Sequence, residues 1–530
     1  MHTIGEHCWC VVGNGLSNQT FVRGPQGIIA IDTGESIEEM EAALKMLRTQ
    51  TDEPIVACIY SHFHYVNGTK ALLKGGHLDI FGHADITANL ARFGGEIAPR
   101  SGRGMVHQFG TMLPAEGADA LLHCGLGLFY RNPAHAPFTA GYIPAHHTFT
   151  DQLITDIAGL RVEMYHAPSD ANDSITIWFP DLNLCVNNLV WPALFNVFAI
   201  RGEEYRDPRI LLSGLDQIAD FEPEHLVGSH GPPLSGPNLQ SSVIRYRDSI
   251  QFLWDQTVRL ANKGLTLSDI CSQVQLPDEF SEDPLTREFY GVAEHHVRQI
   301  YAGLFGWFDE DEAHLFPLAT QERNDRLIEG FGGRAIVQAK VSEAIADNDL
   351  RWALELSSWL VRSHGATDTD RQHLATSLRT ISQQTLSANI RNWCLTRALE
   401  LEGALDLTRH RVHRFGQQQV LAMDPARSII ALKVVLDPAE AGTLDTEVAW
   451  DFVANGSQGL HVRRGVAVPT DGRRAVIRLN LSHETWAQVI SGRGAFWQAV
   501  EEGLISISGD VDRLKQFLAA FDLAALRQTP

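Results

Sequence analysis

The chain has 530 residues, 44% of them hydrophobic and 20% charged, which suits two to four globular domains with substantial cores and excludes a largely disordered or low-complexity protein. Its formal net charge of -21 argues against sequence-independent attraction to nucleic-acid phosphates or anionic lipid, because both need a basic face.

The N-terminal MHTIGEHCWCVVGNG lacks a basic segment followed by an apolar one, and no window approaches 18 uninterrupted apolar residues. A soluble, cytoplasmic protein without a membrane span is expected. The seven cysteines are scattered, so buried thiols in a reducing compartment are expected rather than a disulfide framework. Residues 1–240 alternate β-rich runs (CWCVVG, TFVRG, GIIAIDTG, IVACIYSHFH) with helical ones. SIEEMEAALKML has helical spacing, with Ser36 as N-cap and Glu39 closing a capping box. RVEMYHAPSD, SITIWFPDLNLCVNN and HLVGSHG follow as strands that end in polar or His-bearing turns, where layered α/β proteins carry their chemistry. Residues 241–403 turn to successive amphipathic helices, with an antiparallel hairpin expected at NDLRWALEL. Residues 404–530 return to a small α+β domain with a meander-like sheet (TEVAWDFV, GLHVRRG, RAVIRLNLS, LISISGD).

The chemistry gathers in three turns. In IYSHFHYVNG, His62 and His64 stand at i and i+2 on a strand end, on one side of the chain, and can bind one metal ion together. HAPSDANDS offers Asp170 and Asp173 after a strand, with His166 just before them. LVGSHGPP offers His230. Taken singly, Asp170 reads as a turn or cap and His230 as a loop histidine; their order along the chain makes the set informative.

In this order the motifs resemble the alkylsulfatase family of the metallo-β-lactamase superfamily. The family's Thr-His-Ser-His-x-Asp-His-x-Gly-Gly corresponds to Ser61-His62-Phe63-His64-Tyr65-Val66-Asn67-Gly68-Thr69 here. APSDANDSI, LCVNNLVWPALFNVFAIRG and SHGPPLSG align with its later motifs, as do the helical block and the closing GLISISGDVDRLKQFLAAFD. The resemblance implies an αββα metallo-β-lactamase sandwich, then an all-α dimerisation domain through which the chain forms a homodimer, then a sterol-carrier-like α+β domain. It also implies that one metal takes two His and a carboxylate, kept here as His62, His64 and Asp170. Of the second metal's set only His230 is kept, with Val66, Asn67 and Asn188 in the places of an Asp, a His and a bridging Glu.

The expectation is therefore one divalent metal, zinc ahead of iron, in a hydrolase acting on an apolar organic ester, a sulfate ester or a related one. Zinc with an open position would bring the pKa of its bound water to about 7. His230 is a candidate fourth ligand, or with Asp173 a general base or proton shuttle; Asn67 and Asn188 would hydrogen-bond water or substrate. Tyr65 and Trp191, with Phe63, Phe195 and Phe198, would suit an apolar substrate, and Arg201, Arg245 and Arg247 an anionic head group. Two alternatives stand behind this reading. Two His and one carboxylate are also the donor set of non-haem Fe(II), with oxidative or lyase chemistry; and the lost ligands leave room for a non-catalytic ligand-binding protein on a decayed frame.

Overall fold

The computed structural model describes residues 1–76, 78–93, 96–453 and 456–527. The chain forms two compact units, one of residues 1–90 and 104–406, the other of residues 91–103 and 407–530.

In the first unit two sheets face each other. The seven-stranded sheet runs in chain order from His2–Ile4 to His147–Phe149, antiparallel through Gly27–Ile31 and parallel through Ile55–Ile59 and Asp79–His83. The six-stranded sheet runs from Leu234–Ser235 through His225–Gly228, Leu184–Asn187, Ile175–Phe179 and Leu160–His166 to Gln152–Ile157. Alternation of side chains builds the layers. Leu184, Val186 and Val227 meet Ile29, Ile31 and Ile59 between the sheets, whereas Cys185 and Leu226 face the opposite way, onto the helix Pro208–Phe221. On the far side of the first sheet the helix Ile37–Leu47 buries Met40, Ala43 and Leu47. This is the αββα sandwich.

The cap of that helix is partly as expected. Ser36 Oγ accepts from Glu39 N at 3.1 Å, but the Glu39 carboxylate accepts from Gln19 Nε2 at 2.8 Å and Glu35 N at 3.3 Å instead of returning to Ser36. The buried Gln19 and the preceding turn outcompete the capping box.

Long helices follow. Leu239–Ala261 and Ala293–Phe305 share one apolar core with the sandwich, through Leu253 and Val297 against Trp191 and Phe195. Arg334–Ala346 and Leu350–Arg362 are joined only by residues 347–349 and bury Val337 and Val341 against Leu356 and Leu360. Asp349 caps the second of them by accepting from Trp352 N. Among the described residues no helix is long and apolar enough to cross a membrane. All seven cysteines are free and buried.

The second unit carries a five-stranded sheet around Trp450, Trp486 and Phe517. Asp445–Phe452, Gly456–Arg463 and Val466–Thr470 make the expected meander, but Ile477–Leu481 crosses back to pair with Asp445–Phe452 in parallel. The sheet is therefore α+β with a crossover rather than a simple meander.

Candidate metal centre

The strand Ile55–Ile59 ends three residues before His62, and His64 lies in the 3-10 turn Phe63–Tyr65. The two imidazoles thus converge through a tight turn and not through strand pleating, with ring centroids 4.9 Å apart. Asp170, on the turn between Leu160–His166 and Ile175–Phe179 of the facing sheet, comes to them. Its Oδ1 is 3.8 Å from His62 Nε2 and its Oδ2 3.3 Å from His64 Nδ1. One ligand atom from each of the three lies within 4.8 Å of the others, and among the described residues this is the group of three or more such side chains able to hold a metal. The donor set and its spacing fit a divalent ion.

The turn is held from behind by residues that the sequence did not mark. Asp32, at a strained positive φ of 57°, accepts from Ser61 N at 2.8 Å and Ser61 Oγ at 2.6 Å. Ser61 Oγ lies 2.8 Å from His62 Nδ1. With the serine proton given to Asp32, Nδ1–H of His62 donates to the serine oxygen, and the Nε2 lone pair is left toward Asp170. Burial raises Asp32 to about 7 against these hydrogen bonds. Against the penalty of burial, Asp170 is held well below the carboxylate range by its hydrogen bond from His64 and by the charge of Arg206.

Asn188 stands where the bridging carboxylate was expected. Its Oδ1 accepts from Trp191 Nε1 at 3.1 Å, and an indole nitrogen can only donate, so its Nδ2 must face the cluster, where it donates to Asp170 Oδ1 at 2.7 Å and Ser169 Oγ at 2.9 Å. The Asn188 amide is thus directed at Asp170, with Ser169 and Ser174 also within reach. Asn67 is fixed through its backbone, donating to Gly34 O and accepting from Gly141 N, while Val66 is fully buried.

His230 is outside the three-residue group. Its turn is clamped by Asn18 Nδ2, which donates to Gly228 O and Gly231 O. Nδ1 meets Leu16 O at 3.0 Å and so carries the proton, which leaves Nε2 to accept from the Tyr65 hydroxyl at 3.4 Å. Burial pushes His230 down to about 4. His230 thus forms a phenol–imidazole pair with Tyr65 beside the three-residue group. Asp173 accepts from Phe63 N at 3.3 Å and Asn89 Nδ2 at 2.8 Å, which ties it to the base of the histidine turn, and burial raises it to about 6.

Of the other expected contacts, Tyr65 and Trp191 are buried in the site, and Phe195 and Phe198 pack against Trp191 and His295 respectively. Arg201 is buried and donates from Nε to Glu203 at 2.7 Å. Arg247, on the helix Leu239–Ala261, is paired with Asp216 at 2.8 Å and Asp248 at 3.1 Å. Arg245 is similarly held by Asp283 at 2.9 Å. Sequence reasoning also missed Arg206, Tyr290 and His296, all buried. The signal for Tyr290 and His296 was faint because they sit in the helical block, remote in the chain from the three turns.

Burial, with the neighbouring His295 and Arg206 adding to it, drives His296 down to about 3. Because the unfolded imidazole titrates near 6.5, the unfolded state binds the extra proton below that pH, and stability is lost as pH falls from about 6.5 toward the folded value. Urea unfolding of the wild type and His296→Asn at low ionic strength is therefore expected to give a constant stability difference above pH 6.5. The difference should move in favour of the variant as the pH drops to 4.5; a flat difference across this range contradicts a buried neutral His296.

Facing sheets flanked by helices, with two histidines from one sheet and a carboxylate from the other, define a metallo-β-lactamase-type hydrolase fold. Residues 266–404 match the family described as alkyl sulfatase dimerisation, and residues 415–527 the one described as alkyl sulfatase C-terminal. The chain is 34% identical over 526 residues to a linear primary-alkylsulfatase from a Pseudomonas species, covering 94% of this chain and 98% of the relative. It is 27% identical to an (R)-specific secondary-alkylsulfatase from Pseudomonas, over 97% of this chain and 79% of that one. The solved structure of a double mutant of the sec-alkyl sulfatase PisA1 superposes with a TM-score of 0.86 at 25% identity, covering 100% of this chain and 85% of that one. The chain belongs to the alkylsulfatase family of the metallo-β-lactamase superfamily, and it is a metallo-hydrolase of the alkylsulfatase type.

Proposed function

We propose that the protein is a mononuclear hydrolase that cleaves sulfate esters of apolar alcohols, adding water across the ester to release the alcohol and hydrogen sulfate. The observation that carries this reading is the selective survival of one ligand set. His62, His64 and Asp170 converge, while Val66 is a buried apolar side chain, the Asn188 amide turns its nitrogen to Asp170, and His230 is engaged by Tyr65.

In this reading His62, His64 and Asp170 hold one zinc ion, which when bound acidifies water and polarises the ester. Asp32 and Ser61 fix the tautomer of His62. Asn188 orients the Asp170 carboxylate. The Tyr65–His230 pair takes up and returns a proton beside the reacting group, and Asp173 keeps the Phe63–Tyr65 turn in register. The apolar part of the ester is received by a crevice of about 400 Å³ lined by Trp191, Leu226, His230, Leu234 and Leu285, walls that suit a hydrocarbon chain. Three parts, 1–240, 241–403 and 404–530, divide the work, the middle one joining two copies as a homodimer. Seven free buried thiols accord with a reducing, cytoplasmic setting.

Metal analysis tests the count. About one ion per chain supports the reading, whereas two or none removes it. The iron alternative rests on the same donor set, so sulfate release with zinc and none with Fe(II) and oxygen separates them. Ser61→Ala is expected to weaken metal binding by roughly 10–100-fold, the usual effect of losing an outer hydrogen-bond partner, as read by competition with a chromogenic chelator. Unchanged affinity would remove the Asp32–Ser61 relay from the account.

A further inference from the structure

His62 and His64 follow a strand of the seven-stranded sheet, whereas Asp170 comes from a turn of the six-stranded one. Their spacing therefore depends on what locks that turn, residues 167–174, to the opposite sheet. Two locks do so. Asn89, buried on the helix Ile86–Phe93, donates from Nδ2 to Asn172 Oδ1 at 2.6 Å and to Asp173 Oδ2 at 2.8 Å. The second lock is a pair of histidines to which the proposed chemistry gives no part. His83 ends the strand Asp79–His83 of the seven-stranded sheet, and His166 ends Leu160–His166 of the six-stranded one. Their rings stack with centroids 4.4 Å apart and planes 25° apart, and His166 Nε2 donates to Asn172 O at 2.6 Å. Asn172, two positions from Asp170, is thus gripped at both its carbonyl and its side chain.

Hydrogen bonds specify the proton on each ring. A carbonyl oxygen only accepts, so Nε2 of His166 carries a proton toward Asn172, and Nε2 of His83 carries one toward Thr150 O at 3.0 Å. Nδ1 of His83 accepts from Asp85 N at 3.2 Å, which makes His83 neutral with both nitrogens engaged. His83 is 3% exposed. A second proton on it would lose the Asp85 N–H, bury a charge and, with His166 also protonated, set two cations ring against ring. The charged groups facing His83 are His166 from the other strand end, Asp85, whose Oδ2 is 3.8 Å from Nδ1, and Asp151. Burial and then His166 hold His83 below the ordinary imidazole value, against the pull of the Thr150 carbonyl and the two carboxylates.

We propose that His166, braced by its stack on His83, is a positioning residue for the metal centre: the pair clips the Asp170 turn to the opposite sheet while both rings are neutral and releases it as they protonate. The proposal rests on the reading that His62, His64 and Asp170 hold the metal, and is independent of which ester is cleaved. An unclipped imidazole titrates near 6.5, so the released state binds more protons than the clipped one. The clip is therefore complete above that pH and is lost as the pH falls below it.

The test measures zinc affinity of the full chain between pH 8 and 5.5, by competition with a chromogenic chelator. His166→Gln keeps an N–H donor for Asn172 O but cannot titrate, whereas His166→Leu removes the donor. At pH 8 His166→Leu is expected to weaken zinc binding about 10–100-fold, the usual cost of losing an outer hydrogen-bond partner, and His166→Gln to restore most of it. Protonation of the ligands themselves is common to all three proteins and cancels in a ratio of affinities. The affinity of His166→Gln relative to wild type is expected to rise about tenfold from pH 8 to 5.5, because one pH unit below an imidazole value of about 6.5 is a tenfold change. A flat ratio overturns the neutral-ring clip, and wild-type affinity at pH 8 in His166→Leu overturns the positioning role. If His166→Leu does not fold, the His166→Gln ratio alone decides. A wild-type chain that binds no zinc overturns the metal-centre reading and this proposal together; one that binds zinc with a flat ratio keeps that reading and overturns the proposal alone.

Discussion

Asp170→Ala is expected to reduce bound metal from about one ion per chain to nearly none and to cut turnover by at least about 1000-fold, equivalent to about 4 kcal/mol of transition-state stabilisation. The reason lies in what Asp170 joins. It is the only carboxylate in the described three-residue group, it meets His62 at 3.8 Å and His64 at 3.3 Å, and it is the anion toward which Asn188 turns its amide. Without it, two neutral imidazoles face a divalent ion with no charge compensation. Asp173→Asn is the comparison: Asp173 ties down Phe63 N and Asn89 and is outside the group, so its loss should leave the metal in place. Elemental analysis after gel filtration reads both variants. Metal retained at wild-type level in Asp170→Ala would show that the ion is held elsewhere.

Val66→Asp carries the second large effect, and it separates a lost ligand from a lost site. Val66 is fully buried, its backbone pairs with Gly34 and its carbonyl accepts from Thr69 Oγ1 at 2.7 Å. A carboxylate there with no metal is an uncompensated buried charge, so the apo variant is expected to lose roughly 3–5 kcal/mol, a large share of the stability of an ordinary domain. Its folded-state pKa would be raised, so the loss grows as pH rises from about 4 to 8. Excess zinc should not restore stability, because the neighbouring Asn67 and Asn188 places stay neutral and His230 remains with Tyr65. Combining Val66→Asp with Asn67→His and Asn188→Glu should raise the count toward two ions per chain and recover part of the loss. Denaturant titrations with and without zinc check this; a zinc-rescued single variant would mean that the second position is intact apart from Val66.

The two expectations differ in how far they could be read without a fold. His62, His64, Asp170 and His230 announce themselves because histidines and carboxylates in strand-end turns are chemically conspicuous, whereas the replacements at Val66, Asn67 and Asn188 are implied only by the resemblance to alkylsulfatase motifs. The alternation of strands and helices was equally legible, since burial on one face imposes a period on the sequence. Which way a side chain faces was not. Asn188 could have offered oxygen or nitrogen to the cluster until Trp191 took its oxygen. Nor was it legible that Arg247 pairs with Asp216 of another helix and with the adjacent Asp248.

From the order of its residues alone, this protein has a layered α/β part, a helical middle, an α+β end, and a cluster of candidate metal-binding side chains in His62, His64 and Asp170. Those properties are local or periodic, and hydrophobic spacing and residue chemistry carry them. Only the tertiary structure decided that His230 pairs with Tyr65, that Asp32 and Ser61 stand behind His62, and that His296 is buried beside the stretch holding Leu194 and Phe195. Each depends on contacts between residues tens to more than a hundred positions apart, and hydrogen-bond direction and burial exist only once such distant segments have packed.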